Sequence, residues 1–234
     1  MLIVSWNIQF GGRNRLTAIA EELIRRSPDI IVLGEHMTAT TPPLLEQLGE
    51  AGWVHRAVTE PPERWGGVAV LSKHDLIVRP LPPGLESFGF RYQAVGVPAL
   101  DLEVRGIYAP LENKECHDFW ESALAALGSE SGMPVLVVGD LNTGSGGIDS
   151  PSPRVPSEKY FRQIHERGFI DLWRQVHGAE AKEHTWEGTV NPYRLDHAFG
   201  SPAVSRRLVS CSYDHPVREA ELSDHSLLSV ELRP

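Results

Sequence analysis

Along the chain, short uninterrupted apolar runs alternate with stretches in which apolar residues recur every three or four positions. Leu2–Trp6, Asp29–Leu33 and Pro134–Gly139 are runs rich in Val, Ile and Leu, bounded by Gly, Pro or polar residues. Such runs read as strands covered on both faces. Between the first two, Leu16, Ile19, Ala20, Leu23 and Ile24 repeat at helical spacing over Asn14–Arg26, and Pro28 stops that helix. Pro42–Leu48 predicts a second helix with proline in its first turn. Glu115–Leu127, with Phe119, Trp120, Leu124 and Leu127 on one side, and Ser157–Arg167 predict two more. The middle of the chain differs: Trp53–His55, Gly67–Ser72, Leu76–Arg79, Arg91–Val97 and Leu102–Ile107 read as successive strands joined by Pro- and Gly-rich turns. Their short spacing favours antiparallel hairpins. Arg194–Phe199, Leu208–Tyr213 and Ser226–Leu232 are the last predicted strands. Gly144–Pro156, rich in Gly, Ser and Pro, predicts a loop and is expected to be the most mobile segment. No repeat, linker or composition break divides the chain, so the expectation is one α/β domain spanning residues 1–234.

Polar groups gather where the strands end: Asn7, Glu35, Tyr108, Asp140, Asn142, Asp196, Asp224 and His225. Catalytic and binding residues favour loops held by rigid elements. In Pro134–Thr143 the strand stops at Asp140 and Asn142, where a carboxylate can take or position a proton and an amide can orient a nucleophile. Taken singly, each group also has a structural reading. Asp-x-Asn after a strand is a common turn, Glu35 can cap a helix, Tyr108 can be a core aromatic, and Asp224-His225 can be an exposed turn. Together they have the composition of a metal-assisted hydrolytic site.

Composition narrows the field. The 234 residues are 41% hydrophobic and 23% charged, as in a soluble globular protein. A formal charge of −9 argues against a broad basic surface for nucleic acid, without excluding a local basic groove. Cys116 and Cys211 lie far apart, which indicates neither a disulfide framework nor a zinc site. No apolar run approaches membrane-spanning length, and no leader pattern precedes the first strand, so membrane insertion is not expected and a cytoplasmic location is.

Six stretches carry a family resemblance: Ser5-Trp6-Asn7-Ile8, Gly34-Glu35, Ile107-Tyr108-Ala109-Pro110, Gly139-Asp140-Leu141-Asn142, Arg194-Leu195-Asp196-His197 and Ser223-Asp224-His225. In this order they resemble the endonuclease/exonuclease/phosphatase superfamily, the DNase I-like enzymes, with partial similarity to exonuclease III and abasic-site endonucleases. The resemblance implies a four-layer αββα sandwich, two mixed sheets face to face with helices outside. It implies a Mg²⁺ or Mn²⁺ ion held by Glu35, with Asn7 and Asp224 nearby. It further implies Asp140 as the group that activates water, Asn142 as its orienter, His225 on the phosphoryl oxygens, Asp196 steadying that imidazole, and Tyr108 donating to the phosphate. Arg91 is a candidate for reaching a phosphate and Tyr193 for stacking on a base or sugar; the alternatives are an edge-strand arginine that is only solvated for Arg91 and packing for Tyr193. Gly66–Ser72 reads as scaffold, and Trp173 and Trp186 as core.

Departures from the abasic-site branch leave the chemistry intact and open the question of the substrate. They are Gln9, Gly34, the pair His36-Met37, and Leu111 after Tyr108-Ala109-Pro110. The expected function is a Mg²⁺-dependent phosphodiesterase or nuclease acting by in-line water attack on a phosphate ester, with DNA among the candidate substrates and no protein partner implied. The rival enzyme reading is a phosphatase or phosphodiesterase for a small or lipid-derived phosphate. The rival of another class is a non-catalytic binding module on the same fold. An α/β hydrolase is disfavoured by the lack of a Gly-x-Ser-x-Gly elbow.

Overall fold

A computed structural model describes residues 1–111, 114–128 and 131–234, without the side chains of residues 114 and 115. In chain order the first elements are β1 (Leu2–Asn7), α1 (Leu16–Arg26), β2 (Ile30–His36), α2 (Pro42–Glu50), β3 (His55–Val58), β4 (Gly67–Ser72), β5 (Ile77–Val78), β6 (Tyr92–Val97) and β7 (Leu102–Tyr108). Then follow α3 (Lys114–Leu127), β8 (Val135–Asp140), α4 (Glu158–Glu166), β9 (Ile170–Asp171), α5 (Leu172–His177) and the pair β10 (Trp186–Glu187) and β11 (Pro192–Tyr193). The chain closes with β12 (Asp196–Gly200), α6 (Pro202–Arg207), β13 (Leu208–Asp214), α7 (Pro216–Glu219) and β14 (Leu227–Leu232).

Two six-stranded sheets form, ordered β13-β14-β1-β2-β4-β3 and β5-β6-β7-β8-β12-β9. In each, the central pair, β1-β2 and β7-β8, is parallel and linked through a helix, and the flanking pairs are antiparallel. Alternation along the strands builds the layers, because successive side chains face opposite ways. Ile30 and Val32 of β2 and Leu136 and Val138 of β8 meet in the core between the sheets. Ile31 and Leu33 turn outward onto α1 and α2, packing with Ile19, Leu23 and Leu44. Val135 and Val137 turn outward onto α3 and α4, packing with Phe119, Trp120 and Phe161. Three apolar layers between four layers of elements make the expected αββα sandwich.

Some local expectations change. The strand expected at Trp53–His55 lies later, at His55–Val58. Trp53 is instead a core residue whose indole donates to Pro28 O at 2.9 Å. Helix α1 starts at Leu16, because Gly11 and Gly12 adopt positive φ (68° and 77°) and turn the preceding segment. The Gly144–Pro156 loop is tied down: Asp149 is 1% exposed and pairs with Arg194 and Arg174. Strands β9, β10 and β11 and helices α5, α6 and α7 were not expected; each has six residues or fewer.

Candidate active site

One edge of the sandwich collects the polar strand ends. Asn7 ends β1 beside Gly34 of the parallel β2, and Tyr108 ends β7 beside Asp140 of the parallel β8. Asp196 opens β12 directly opposite Asp140. The Asp224-His225 pair lies just ahead of β14, which runs antiparallel to β1. Two parallel pairs with crossover helices therefore deliver their C-terminal ends to one place.

Glu35 reaches the site through a bulge. The β2–β4 register slips between Gly34 and His36, and Glu35 adopts φ 56° in the gap. Gly66 permits this, since a Cβ there would lie 2.8 Å from Glu35 Cα and 3.2 Å from Tyr108 Cε1. The Glu35 carboxylate accepts from Asn7 Nδ2 at 3.0 Å, Phe10 N at 2.8 Å and the Tyr108 hydroxyl at 3.3 Å. Asn7 Nδ2 also donates to Asp140 Oδ2 at 3.0 Å, so one amide joins the two carboxylates.

Asp140, Asp196 and His225 form the second half. His225 Nδ1 lies 2.8 Å from Asp196 Oδ2, and its Nε2 faces Asp140 Oδ2 at 3.9 Å. Burial opposes the imidazolium charge, but Asp196 and Asp140 more than offset it and raise His225 to about 10. Burial raises Asp140 to about 7, against the opposing pull of His225 and the bonds from Asn142 N and Asn7. The pair thus couples a carboxyl that titrates near neutrality to a histidine that stays charged. Burial, with Glu35 and Asp140 close by, raises the Tyr108 hydroxyl well above its ordinary range and keeps it a neutral donor. Asn142 fills the turn role as well: its backbone N–H donates to Asp140 Oδ1 at 2.9 Å and its side chain to Ala109 O at 2.8 Å.

Arg91 is no solvated edge residue. It is 5% exposed, with its guanidinium carbon 4.8 Å from the Tyr108 ring centre, 5.1 Å from Phe90 and 5.2 Å from Trp65. Tyr193 is half-buried with its ring centre 6.2 Å from that of Trp186. Trp186 is not core: half-buried at the site, it donates from Nε1 to Asp224 Oδ2 at 3.1 Å. Trp173 is core.

Sequence reasoning missed Thr185, whose hydroxyl donates to Asp196 Oδ2 at 2.5 Å and accepts from Leu195 N and Asp196 N. It also missed Ser223, which donates to Asn7 O at 2.6 Å and accepts from His225 N at 3.1 Å. The adjacency of Ser223 to Asp224-His225 was the one available signal.

Two donor sets are candidates for a divalent cation. Asp140, Asp196 and His225 offer ligand atoms all within 4.8 Å of one another among the described residues. Their histidine is an imidazolium engaged by both carboxylates, which makes this set an ion-pair relay that already carries its own cation. The other set has hard oxygens only: the carboxylates of Glu35 and Asp224 and the amide Oδ1 of Asn7, which accepts from Gln9 N at 2.9 Å; Asp224 Oδ1 is buried without a hydrogen-bond partner among the described residues. That chemistry fits Mg²⁺ or Mn²⁺. No helix of the described residues is long and apolar enough to cross a membrane.

Comparison with known proteins follows the same lines. The endonuclease/exonuclease/phosphatase family matches residues 4–225. Among solved structures, an AP endonuclease from Archaeoglobus fulgidus superposes with a TM-score of 0.84 at 20% identity, covering 99% of both chains. The 3'-5' exonuclease NExo from Neisseria meningitidis superposes with a TM-score of 0.83 at 22% identity, covering 100% of both chains. A structure of the 3' phosphatase NExo from Neisseria bound to a product DNA hairpin gives the same TM-score of 0.83 at 22% identity. A search of curated proteins finds no match.

Proposed function

The chain belongs to the endonuclease/exonuclease/phosphatase family and is a hydrolase of phosphate esters, and from that membership we propose that it cleaves phosphodiester bonds with a divalent metal ion, Mg²⁺ or Mn²⁺, at the edge occupied by Asn7, Glu35, Asp140, Asp196 and His225. The observation that carries this reading is the buried network in which Asn7 Nδ2 bridges Glu35 and Asp140 at 3.0 Å each while His225 lies between Asp140 and Asp196.

Glu35, with Asn7 and Asp224, would hold the ion. When bound, it supplies positive charge against the phosphoryl oxygens and the leaving oxygen. The chain's own groups do the rest. Asp140 takes the proton of the attacking water as the new P–O bond forms and the ester P–O bond breaks. Its raised pKa suits a base working near neutrality. Asn142 fixes the base through its backbone N–H and orients the water. The imidazolium of His225 neutralises the charge that grows on the phosphoryl oxygens, and Asp196 holds its ring, itself held by Thr185. Tyr108 donates to a phosphoryl oxygen, and Arg91, caged by three rings, supplies a fixed cation beside it. Tyr193 with Trp186 offers a stacking wall for a base or sugar. We assign all of this to one domain.

The NExo structures are described both as a 3'-5' exonuclease and as a 3' phosphatase bound to DNA product. A terminal 3' phosphate is therefore the second reading for the substrate. The test is hydrolysis of bis-p-nitrophenyl phosphate, plasmid DNA, an abasic duplex and a 3'-phosphorylated oligonucleotide, with Mg²⁺, with Mn²⁺ and with chelator. Metal-dependent cleavage of a diester, lost in Asp140→Ala and His225→Ala, is the expected result. Release of phosphate from the 3' end alone would select the second reading. No turnover by a folded, metal-loaded protein would sink both.

A further inference from the structure

Beside the metal side of the site lies a pocket of about 490 Å³ between the Phe10–Arg15 segment and the α7–Asp224 segment. Arg13, Arg15, Arg218, Glu221 and Asp224 line it together with the polar Gln9, Asn14 and Ser223. Three guanidiniums against two carboxylates stand out on a chain of formal charge −9. Their neutralisation is partial: Arg15 lies in the field of Asp224 and Glu35, and Arg218 pairs once, with Glu187. Arg15 spends its donors on Gly12 O, Gln9 Oε1, Ile8 O and Gln9 O, none of them charged. Arg13 makes no ion pair among the described residues; its guanidinium carbon lies 4.4 Å from the centre of the Phe10 ring. Arg218 gives Nη2 to Glu187 at 3.1 Å, while its Nη1 is buried without a partner among the described residues.

Phe10 supplies an element that a simple anion site lacks. The residue is 49% exposed, although its backbone N–H bonds to Glu35. An exposed aromatic beside the reaction centre, capped by a guanidinium and bordered by a cationic pocket, matches one ligand chemistry well. Nucleotides present a phosphate to arginine and a flat base to an aromatic ring. A lipid or small monoester phosphate would leave the ring unused. Gln9 links this pocket to the site, since its N–H donates to Asn7 Oδ1 at 2.9 Å.

We propose that this pocket is a nucleotide subsite. It takes the nucleotide next to the scissile phosphate in a single strand, with that nucleotide's phosphodiester against Arg13 and Arg218 and its base on Phe10. The inference rests on the phosphodiesterase reading above and narrows it to polynucleotide substrates. It also reconciles an acidic protein with a polyanionic substrate, because the required positive charge is local.

The experiment is fluorescence anisotropy of a short labelled single-stranded DNA with the full chain in chelator, across a salt series, so that binding is read without turnover. Phe10→Ala, Arg13→Gln and Arg218→Gln are compared with the unaltered protein. Phe10 and Arg13 are exposed, so those two substitutions disturb no core. Each variant is expected to bind about tenfold more weakly. Each arginine variant should also flatten the logarithmic salt dependence by about 0.7, and Phe10→Ala should leave it unchanged. Variants that bind like the unaltered protein, or arginine variants that leave the salt slope untouched, overturn the subsite. Hydrolysis of bis-p-nitrophenyl phosphate by the unaltered protein with Mg²⁺ separates the two failures. If the diester is hydrolysed while the variants bind normally, only the subsite is lost. If it is not hydrolysed while the variants bind weakly, the subsite stands and the diesterase assignment falls.

Discussion

Two buried histidines reach opposite charge states for reasons visible within a few ångströms. His225 faces Asp196 and Asp140, which overcome the cost of burial and keep it an imidazolium. His197 is equally buried, but Arg194 adds to the desolvation that disfavours its charge, and together they lower it to about 4 despite Asp149 and Asp171. Its Nε2 donates to Thr143 O at 2.8 Å, which suits a neutral ring. The sign of the consequence follows from linkage. A histidine depressed in the folded state contributes stability above its unfolded value of about 6.5, and that stability is lost as pH falls toward about 4. The span corresponds to a loss on the order of 3 kcal/mol. His197→Gln, which keeps a donor for Thr143 O, should therefore lose less stability than the unaltered protein between pH 6.5 and 4 in urea titrations. Parallel curves would show that another group carries the acid limb.

Among the elements, the loop between β8 and α4 owes its placement to charge. Asp149 accepts from Arg194 Nε at 2.6 Å, and Arg194, 0% exposed, also donates to Asp171 Oδ2 at 2.6 Å. Arg194 precedes Asp196 by two residues, so the latch that fixes the loop also fixes the strand carrying the partner of His225. Asp149→Ala would leave a buried guanidinium short of one partner, and a loss of about 3–5 kcal/mol in urea unfolding is expected. Gly66→Ala makes a second test, of the bulge: its Cβ would crowd Glu35 and Tyr108, with an expected loss of about 1–3 kcal/mol and lower metal-dependent turnover. Wild-type values for both would mean that Glu35 moves freely. These dependencies also explain what the sequence could disclose. Strands β1, β2, β4 and β8 are continuous apolar runs, and their periodicity fixes both faces. The pair β10–β11 and helices α5, α6 and α7 are too short to show a period. They are held instead by contacts between distant residues, such as Trp186 with Asp224 and Arg218 with Glu187. Trp186 was misread as core for that reason: a large aromatic in a sequence signals burial, while the carboxylate that engages its N–H lies 38 residues away.

At the scale of the whole molecule, the sandwich gathers four acidic side chains, Glu35, Asp140, Asp196 and Asp224, at one edge of a chain already carrying a formal charge of −9. His225 offsets Asp140 and Asp196. Among the described residues, the hydrogen bonds to Glu35 and Asp224 come only from neutral donors: Asn7, Phe10 N–H and Tyr108 for the first, Trp186 for the second. A cation bound between them would relieve that repulsion in the folded chain and have no equivalent site in the unfolded one. Binding should therefore appear as stability. At a Mg²⁺ concentration about 100 times its dissociation constant, linkage predicts about 2.7 kcal/mol. For a chain of this size that is a rise in Tm of about 5–10 °C. Differential scanning fluorimetry with Mg²⁺ and with chelator would measure it, and Glu35→Gln should remove most of the shift. If the unaltered protein needs metal for turnover yet melts at the same temperature with and without it, the cation arrives with the substrate phosphate and Glu35 is not its anchor in the free enzyme.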